Sequence, residues 1–173
     1  MAAAVPSPLA SSKENTNGAK LSRLLIDDGA IVLRNAFDNY HPSASLAADL
    51  NANYSTLNNL LRKRVIRQAQ WDQLFPPSGA KPDSKSFDTT LLFLLLTTIC
   101  GLSPPLSGWH NKPPRGDTSL EANLARIKSF RNEFYGHVSS TCDNTPMFNA
   151  LWQEIRAVLV ALGLDQAEST DYR

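Results

Sequence analysis

Between Leu21 and Tyr40, Arg23, Asp27, Arg34 and Asp38 fall in one narrow sector at about 100° per residue, while Leu, Ile, Val, Ala, Phe and Tyr fill most of the rest. That pattern predicts a helix packed against several neighbours. His41-Pro42 stops it, because proline lacks an amide hydrogen and restricts the residue before it. A second helix is predicted from Ser55 or Thr56 through Leu57, Leu60, Leu61 and Trp71, ending before Phe75-Pro76-Pro77-Ser78-Gly79. Arg62, Lys63, Arg64 and Arg67 lie on its outer side. A third starts near Phe87-Asp88, where Asp88 can cap free amides, and ends around Cys100-Gly101. Leu102 to Gly116 is dense in proline and glycine and reads as a loop holding Trp109 and His110. Asp117 or Thr118 caps a fourth helix bearing Leu120, Leu124, Ile127, Phe130 and Phe134, which Gly136 weakens or ends. Pro146 opens a last helix with Phe148, Leu151, Trp152, Ile155, Val158, Leu159 and Leu162 on its apolar faces and Gly163 as its stop. No segment has a convincing β period. The expected fold class is all-α, a bundle of about five helices with one long helix hairpin.

At 173 residues the chain is sized for one core rather than two. Residues 1–19 are rich in Ala, Ser, Pro, Asn and Lys and read as a flexible leader, 20–164 as the helical domain and 165–173 as a C-terminal tail. Seventeen basic residues against sixteen acidic ones leave a formal charge of +1, so any surface that attracts nucleic acid has to be local. The run from Leu91 to Leu102 would cover about 18 Å as a helix, short of the roughly 30 Å that a membrane requires, and is expected to be buried. The start of the chain lacks the basic and apolar regions of a signal peptide, and Cys100 and Cys142 are the two cysteines. The expected location is cytoplasmic and reducing, with no membrane association.

One charged residue falls where an apolar one belongs. On the fourth helix Leu120, Leu124, Ile127, Arg131 and Phe134 lie within an arc of about 80°, with Arg131 near its middle. A guanidinium cannot shed its charge, so that position calls for a carboxylate, carbonyls, a subunit interface or a bound phosphate, unless the arginine snorkels to water from a frayed helix end. Downstream the chain reads Arg131-Asn132-Glu133-Phe134-Tyr135-Gly136-His137. In an uninterrupted helix, position 137 stands about 9 Å along the axis and about 120° around from position 131. A turn at Gly136 would let the imidazole swing back toward the arginine. Arginine, asparagine and histidine together offer a cation for phosphate, an orienting amide and a group that exchanges protons near neutral pH. The plainer reading is a helix end capped by His137, with Asn132 in solvent and Tyr135 packing.

This segment resembles the motif of the HEPN superfamily, in which an arginine, usually followed by a polar residue, precedes a histidine by a few positions. One branch is similar in further blocks: Ser86-Phe87-Asp88 through Leu91-Leu92, Ile99-Cys100-Gly101-Leu102, Pro104-Pro105, Gly108-Trp109, Pro113-Pro114 and Asp117-Thr118-Ser119. It is the branch found in an RNA-binding RING-type ubiquitin ligase and beside NOD-like receptors. The resemblance runs from about Leu21 to Leu164. It implies a helical bundle that often forms a two-fold dimer and, in many members, a metal-independent RNA endonuclease with Arg131, Asn132 and His137 as its catalytic set. Other members are non-catalytic RNA-binding or assembly modules, in innate-immune or ubiquitin-linked signalling.

Cleaving RNA without metal requires removal of the 2′-hydroxyl proton, stabilisation of the phosphorane and protonation of the leaving oxygen. One histidine cannot fill both proton roles at once, so a homodimer that brings two His137 side chains to one phosphate would supply them. Arg131 would clamp the phosphate oxygens, Asn132 would hold the phosphate or the imidazole, and Tyr135 would bind backbone or pack. Arg62, Lys63, Arg64 and Arg67 add phosphate contacts or form a solvated helix face. Asp28 and Asn35, seven residues apart in a mainly apolar arc, line a polar pocket, a dimer seam or an ordinary interhelix hydrogen bond. No cofactor or metal is expected, since the histidines are scattered, the cysteines lack ligand spacing and no glycine-rich nucleotide fingerprint occurs. RNA and protein partners are both expected.

Overall fold

A computed structural model of the chain describes residues 12–142 and 145–164, with side chains for 17–134 and 146–164. Helix α1 (Ser12–Arg23), a π turn (Leu24–Asp28) and α2 (Gly29–Tyr40) form one unbroken helical stretch. It begins inside the segment expected to be a leader, so positions 12–19 are helical. The π turn admits one extra residue, which rotates everything after it by about 100° relative to a regular wheel. That slip explains why Asn35 and Ile31 are exposed although the regular wheel puts Asn35 in the apolar arc, and why Arg34 turns inward. The Arg34 guanidinium donates to Ser84 O at 3.0 Å and Phe87 O at 3.4 Å, tying α2 to a 3-10 turn at Ser84–Ser86.

Next come α3 (Leu46–Ala52), α4 (Tyr54–Arg62), α5 (Gln68–Leu74), α6 (Thr89–Thr98), α7 (Leu120–Cys142) and α8 (Thr145–Ala161). Counting the first stretch once, the described residues hold seven α-helices rather than about five, and no strand. The predicted second helix is broken: α4 ends at Arg62 and α5 starts at Gln68. Arg62, Lys63, Arg64 and Arg67 therefore crowd a turn, all exposed, instead of lining a helix face. Asp88 caps α6 as the sequence predicts, its Oδ1 accepting from Leu91 N at 2.7 Å. The Gln70 amide donates to the same carboxylate at 3.2 Å and its Oε1 accepts from Arg67 N at 3.0 Å, joining the starts of α5 and α6. At α7 the capping oxygen is one residue later than expected: Ser119 Oγ accepts from Ala122 N while Asp117 holds Ser119.

The core joins α2 to α6 and α7 to α8, with α1 and the π turn packed on α7 and the π turn also on α8. Leu21, Leu24, Leu33, Phe37, Leu91, Leu95, Leu124, Ile127, Phe130, Ile155 and Leu159 belong to one buried cluster. Pattern and packing agree on α8: Gly163, at φ 105°, ends it where the sequence predicts, and Leu164 N reaches back to Leu159 O. No helix among the described residues is long and apolar enough to cross a membrane, and the apolar run forms α6, with Leu91, Leu92, Leu95 and Leu96 buried.

Candidate nucleic-acid interface

Lys128, Arg131 and Asn132 stand at i, i+3 and i+4 on α7, which puts them on one side of the helix. They line a cleft of about 600 Å³ between α6 and α7. Thr90, Phe93, Leu94 and Thr97 of α6 form the opposite wall, and Trp109 and His110 of the 102–116 loop close one side. Val65 also lines the cleft, so the turn carrying Arg62, Lys63, Arg64 and Arg67 borders it. Among the described residues no aspartate or glutamate belongs to the lining.

Arg131 is half-buried and Asn132 exposed, so the arginine on the apolar stripe stands at the edge of the core. Lys128 is half-buried as well. Its Nζ donates to His110 Nδ1 at 3.0 Å and lies 5.1 Å from the centre of the Phe93 ring. Burial pushes the Lys128 ammonium below its ordinary pKa range. Because an ammonium only donates, the imidazole in this pairing carries its proton on Nε2, which leaves that nitrogen as a second donor.

The loop is fastened to the bundle by a buried cation. Arg126 donates to Pro114 O at 2.6 Å and to Asn123 Oδ1 at 2.8 Å, from a face about 120° around α7 from the middle of the apolar stripe. Lys112 adds an ion pair to Glu154 of α8 at 3.1 Å and lies over the Phe130 ring. Residues 122–127 of α7 are consequently buried on every side. The wheel misses Arg126, because only the loop packed on that flank of α7 makes the face interior. Lys128 was legible in principle from its spacing to Arg131.

Helix α7 continues through Gly136 to Cys142, so the turn expected to bring position 137 back toward Arg131 is absent. A glycine inside a helix costs stability but does not by itself break it. With the helix unbroken, position 137 stands about 120° around from position 131. The side chains of Tyr135, His137 and Cys142 lie outside the described residues. Asp28 closes the π turn, buried at 6 % exposure, whereas Asn35 faces solvent, so the two do not share a pocket within the chain.

Two other groups carry no catalytic geometry. His41, Asp49 and Ser45 meet, but both His41 Nδ1 and Ser45 Oγ bond to Asp49 Oδ2 at 2.9 Å, while His41 Nε2 faces Ile99 O at 3.3 Å. The serine has no base, and the cluster pins α3 to the ends of α2 and α6. Burial pushes the Cys100 thiol up to about 12, which suppresses the thiolate. Among the described residues no three metal-ligating side chains gather.

Residues 43–173 match the DZIP3/hRUL138-like HEPN family. Over 152 residues the chain is 28 % identical to the E3 ubiquitin-protein ligase DZIP3 of Homo sapiens, covering 86 % of this chain and 12 % of that protein. Over 150 residues it is 27 % identical to the protein of the same name in Mus musculus, covering 84 % of this chain and 12 % of the relative. No solved structure matches it. The family match spans most of the chain and includes α6, the loop and the Arg131 segment of α7: the chain belongs to the DZIP3/hRUL138-like HEPN family.

Proposed function

We propose that this chain is an RNA-binding HEPN module that holds RNA without cutting it. The observation that carries the proposal is the convergence of cations on one cleft: Lys128 and Arg131 line it, the turn from Arg62 to Arg67 borders it, and none of the described residues lining it is a carboxylate. In a chain of formal charge +1, so local a concentration of positive charge favours a phosphate backbone. Arg131 is its central phosphate contact, Asn132 an orienting amide, and Arg62, Lys63, Arg64 and Arg67 the outer contacts. The unbroken α7 supports binding over cleavage, because arginine and histidine positions of the motif point to different sectors of the helix. Resemblance to a ubiquitin ligase adds a second partner class, with the module delivering RNA or a bound protein to a ubiquitin-linked assembly.

The intact set Arg131, Asn132 and His137 favours one other reading, an endonuclease whose site forms when a two-fold dimer sets two motifs face to face. One experiment separates them. Purified protein is incubated with single-stranded and structured RNA in the presence of chelator, with binding read by gel shift and cleavage by fragment analysis. Retention of intact RNA is the expected result. Fragments ending in 2′,3′-cyclic phosphate would establish the endonuclease, and absence of any shift would leave a protein-facing role.

A further inference from the structure

We propose that the α6–α7 cleft captures one unpaired nucleotide of the RNA, its phosphate held by Lys128 and Arg131 with His110 as a donor from the loop, and its base laid against Trp109. This rests on the RNA-binding reading and narrows it to single strands. Among the described residues the partners of Lys128 are His110 and the face of Phe93, neither of which neutralises an ammonium. A half-buried cation without a counter-charge is held at a cost that an incoming anion relieves. Arg131, one turn along the same face, supplies a second charge, and among the described residues the cleft lining offers Lys128 no carboxylate in place of a phosphate.

The volume and walls select a nucleotide over a bare phosphate. About 600 Å³ falls within the usual span of small-ligand sites, roughly 300–1,000 Å³. Trp109 and Phe93 meet edge to face, with centroids 6.1 Å apart and planes at 87°, so they form a corner and not a slot. A base in this corner stacks on one ring, as in sequence-tolerant single-strand binding. The loop carrying Trp109 and His110 is fixed by Arg126 and Lys112, so this wall exists before the ligand arrives. A base held in a duplex cannot leave its stack to enter, whereas one in a loop or free end can.

The test measures fluorescence anisotropy of the full chain with a short single-stranded RNA and with the same sequence in a hairpin stem. Lys128→Gln is expected to weaken single-strand binding about tenfold, as for one lost charge-assisted hydrogen bond, and to lower the salt slope by about 0.7. His110→Ala, a change on the exposed loop, weakens it less, and Lys128→Arg restores most of the affinity, which excludes simple misfolding. A Trp109 indole N–H resonance that shifts with AMP but with neither adenosine nor inorganic phosphate supports nucleotide capture. A shift with inorganic phosphate equal to that with AMP overturns it. If Lys128→Gln and His110→Ala bind like wild type while Arg62→Gln/Arg67→Gln loses binding, the cleft assignment fails and RNA binding stands. If wild type binds no RNA, the broader reading fails as well.

Discussion

Arg64 is the one non-glycine residue among those described with a positive φ, 59°. It ends α4 as Gly163 ends α8: Arg64 N donates to Leu61 O and Val65 N to Leu60 O, both at 2.9 Å. A side chain in that conformation costs about 1–2 kcal/mol, and glycine returns about 0.5–1 kcal/mol of this through its freer unfolded state. Arg64→Gly is therefore expected to stabilise the protein by about 0.5–1 kcal/mol and raise the melting temperature by about 1–4 °C, while Arg64→Ala keeps the strain. Calorimetry decides it, and a glycine variant melting at or below wild type would refute the strain. Asp49 gives a pH-dependent case. Hydrogen bonds from His41 and then Ser45 hold its carboxyl below the ordinary range. The folded pKa lies under the unfolded value of about 3.9, so the stabilisation is complete above that value and is lost as pH falls through the folded pKa. Melting curves of wild type and Asp49→Asn should differ most near neutrality and converge toward pH 2; a constant gap would contradict the linkage. These side chains were only partly legible: the basic run was plain, but no periodicity reveals that Arg64 sits in a left-handed turn.

At the level of elements, the pattern was most informative where one helix faces one core. The α6 cap at Asp88 and the α8 stop at Gly163 depend on short-range chemistry, and both stand where the sequence puts them. The wheel fails over the first helix because the π turn shifts the phase, and over α7 because the 102–116 loop buries a second face of the helix. Both are tertiary choices, invisible to a fixed period. The α7 case leads to a prediction about Arg126. Replacing it by alanine leaves Pro114 O and the Asn123 amide without their partner and removes the stem that covers α7. A loss of about 2–4 kcal/mol is expected, with faster hydrogen exchange in 102–116 and weaker RNA binding, because Trp109 and His110 lose their anchorage. Arg126→Lys should recover only part of this, since one ammonium does not reproduce the guanidinium fork. Unchanged exchange in the loop would show that Lys112 and Glu154 suffice to hold it.

For the whole molecule, the question is whether Arg131 and His137 act together. In the sequence they form one motif; along the unbroken α7 they occupy sectors about 120° apart. The cleft gives Arg131 a place within a single chain, so its position on the apolar stripe no longer requires a second copy. The two residues should then separate by mutation. Arg131→Ala is expected to weaken RNA binding about tenfold and reduce its salt dependence, because a phosphate contact and its released counterions are lost. His137→Ala should leave affinity within about twofold, since an imidazole outside the phosphate contacts contributes little to a counterion-driven equilibrium. Light scattering run alongside ties this to assembly. In the binding reading both variants keep the wild-type mass and the affinity loss belongs to Arg131 alone. A composite dimer site predicts that RNA is cut, that His137→Ala reduces cutting by about 10²- to 10⁴-fold with binding intact, and that activity falls with dilution as dimers dissociate. Cleavage that scales with the dimer fraction would therefore replace the binding module by the nuclease, while intact RNA at every protein concentration, with affinity set by Arg131 and Lys128, would fix the function in the cleft of one chain.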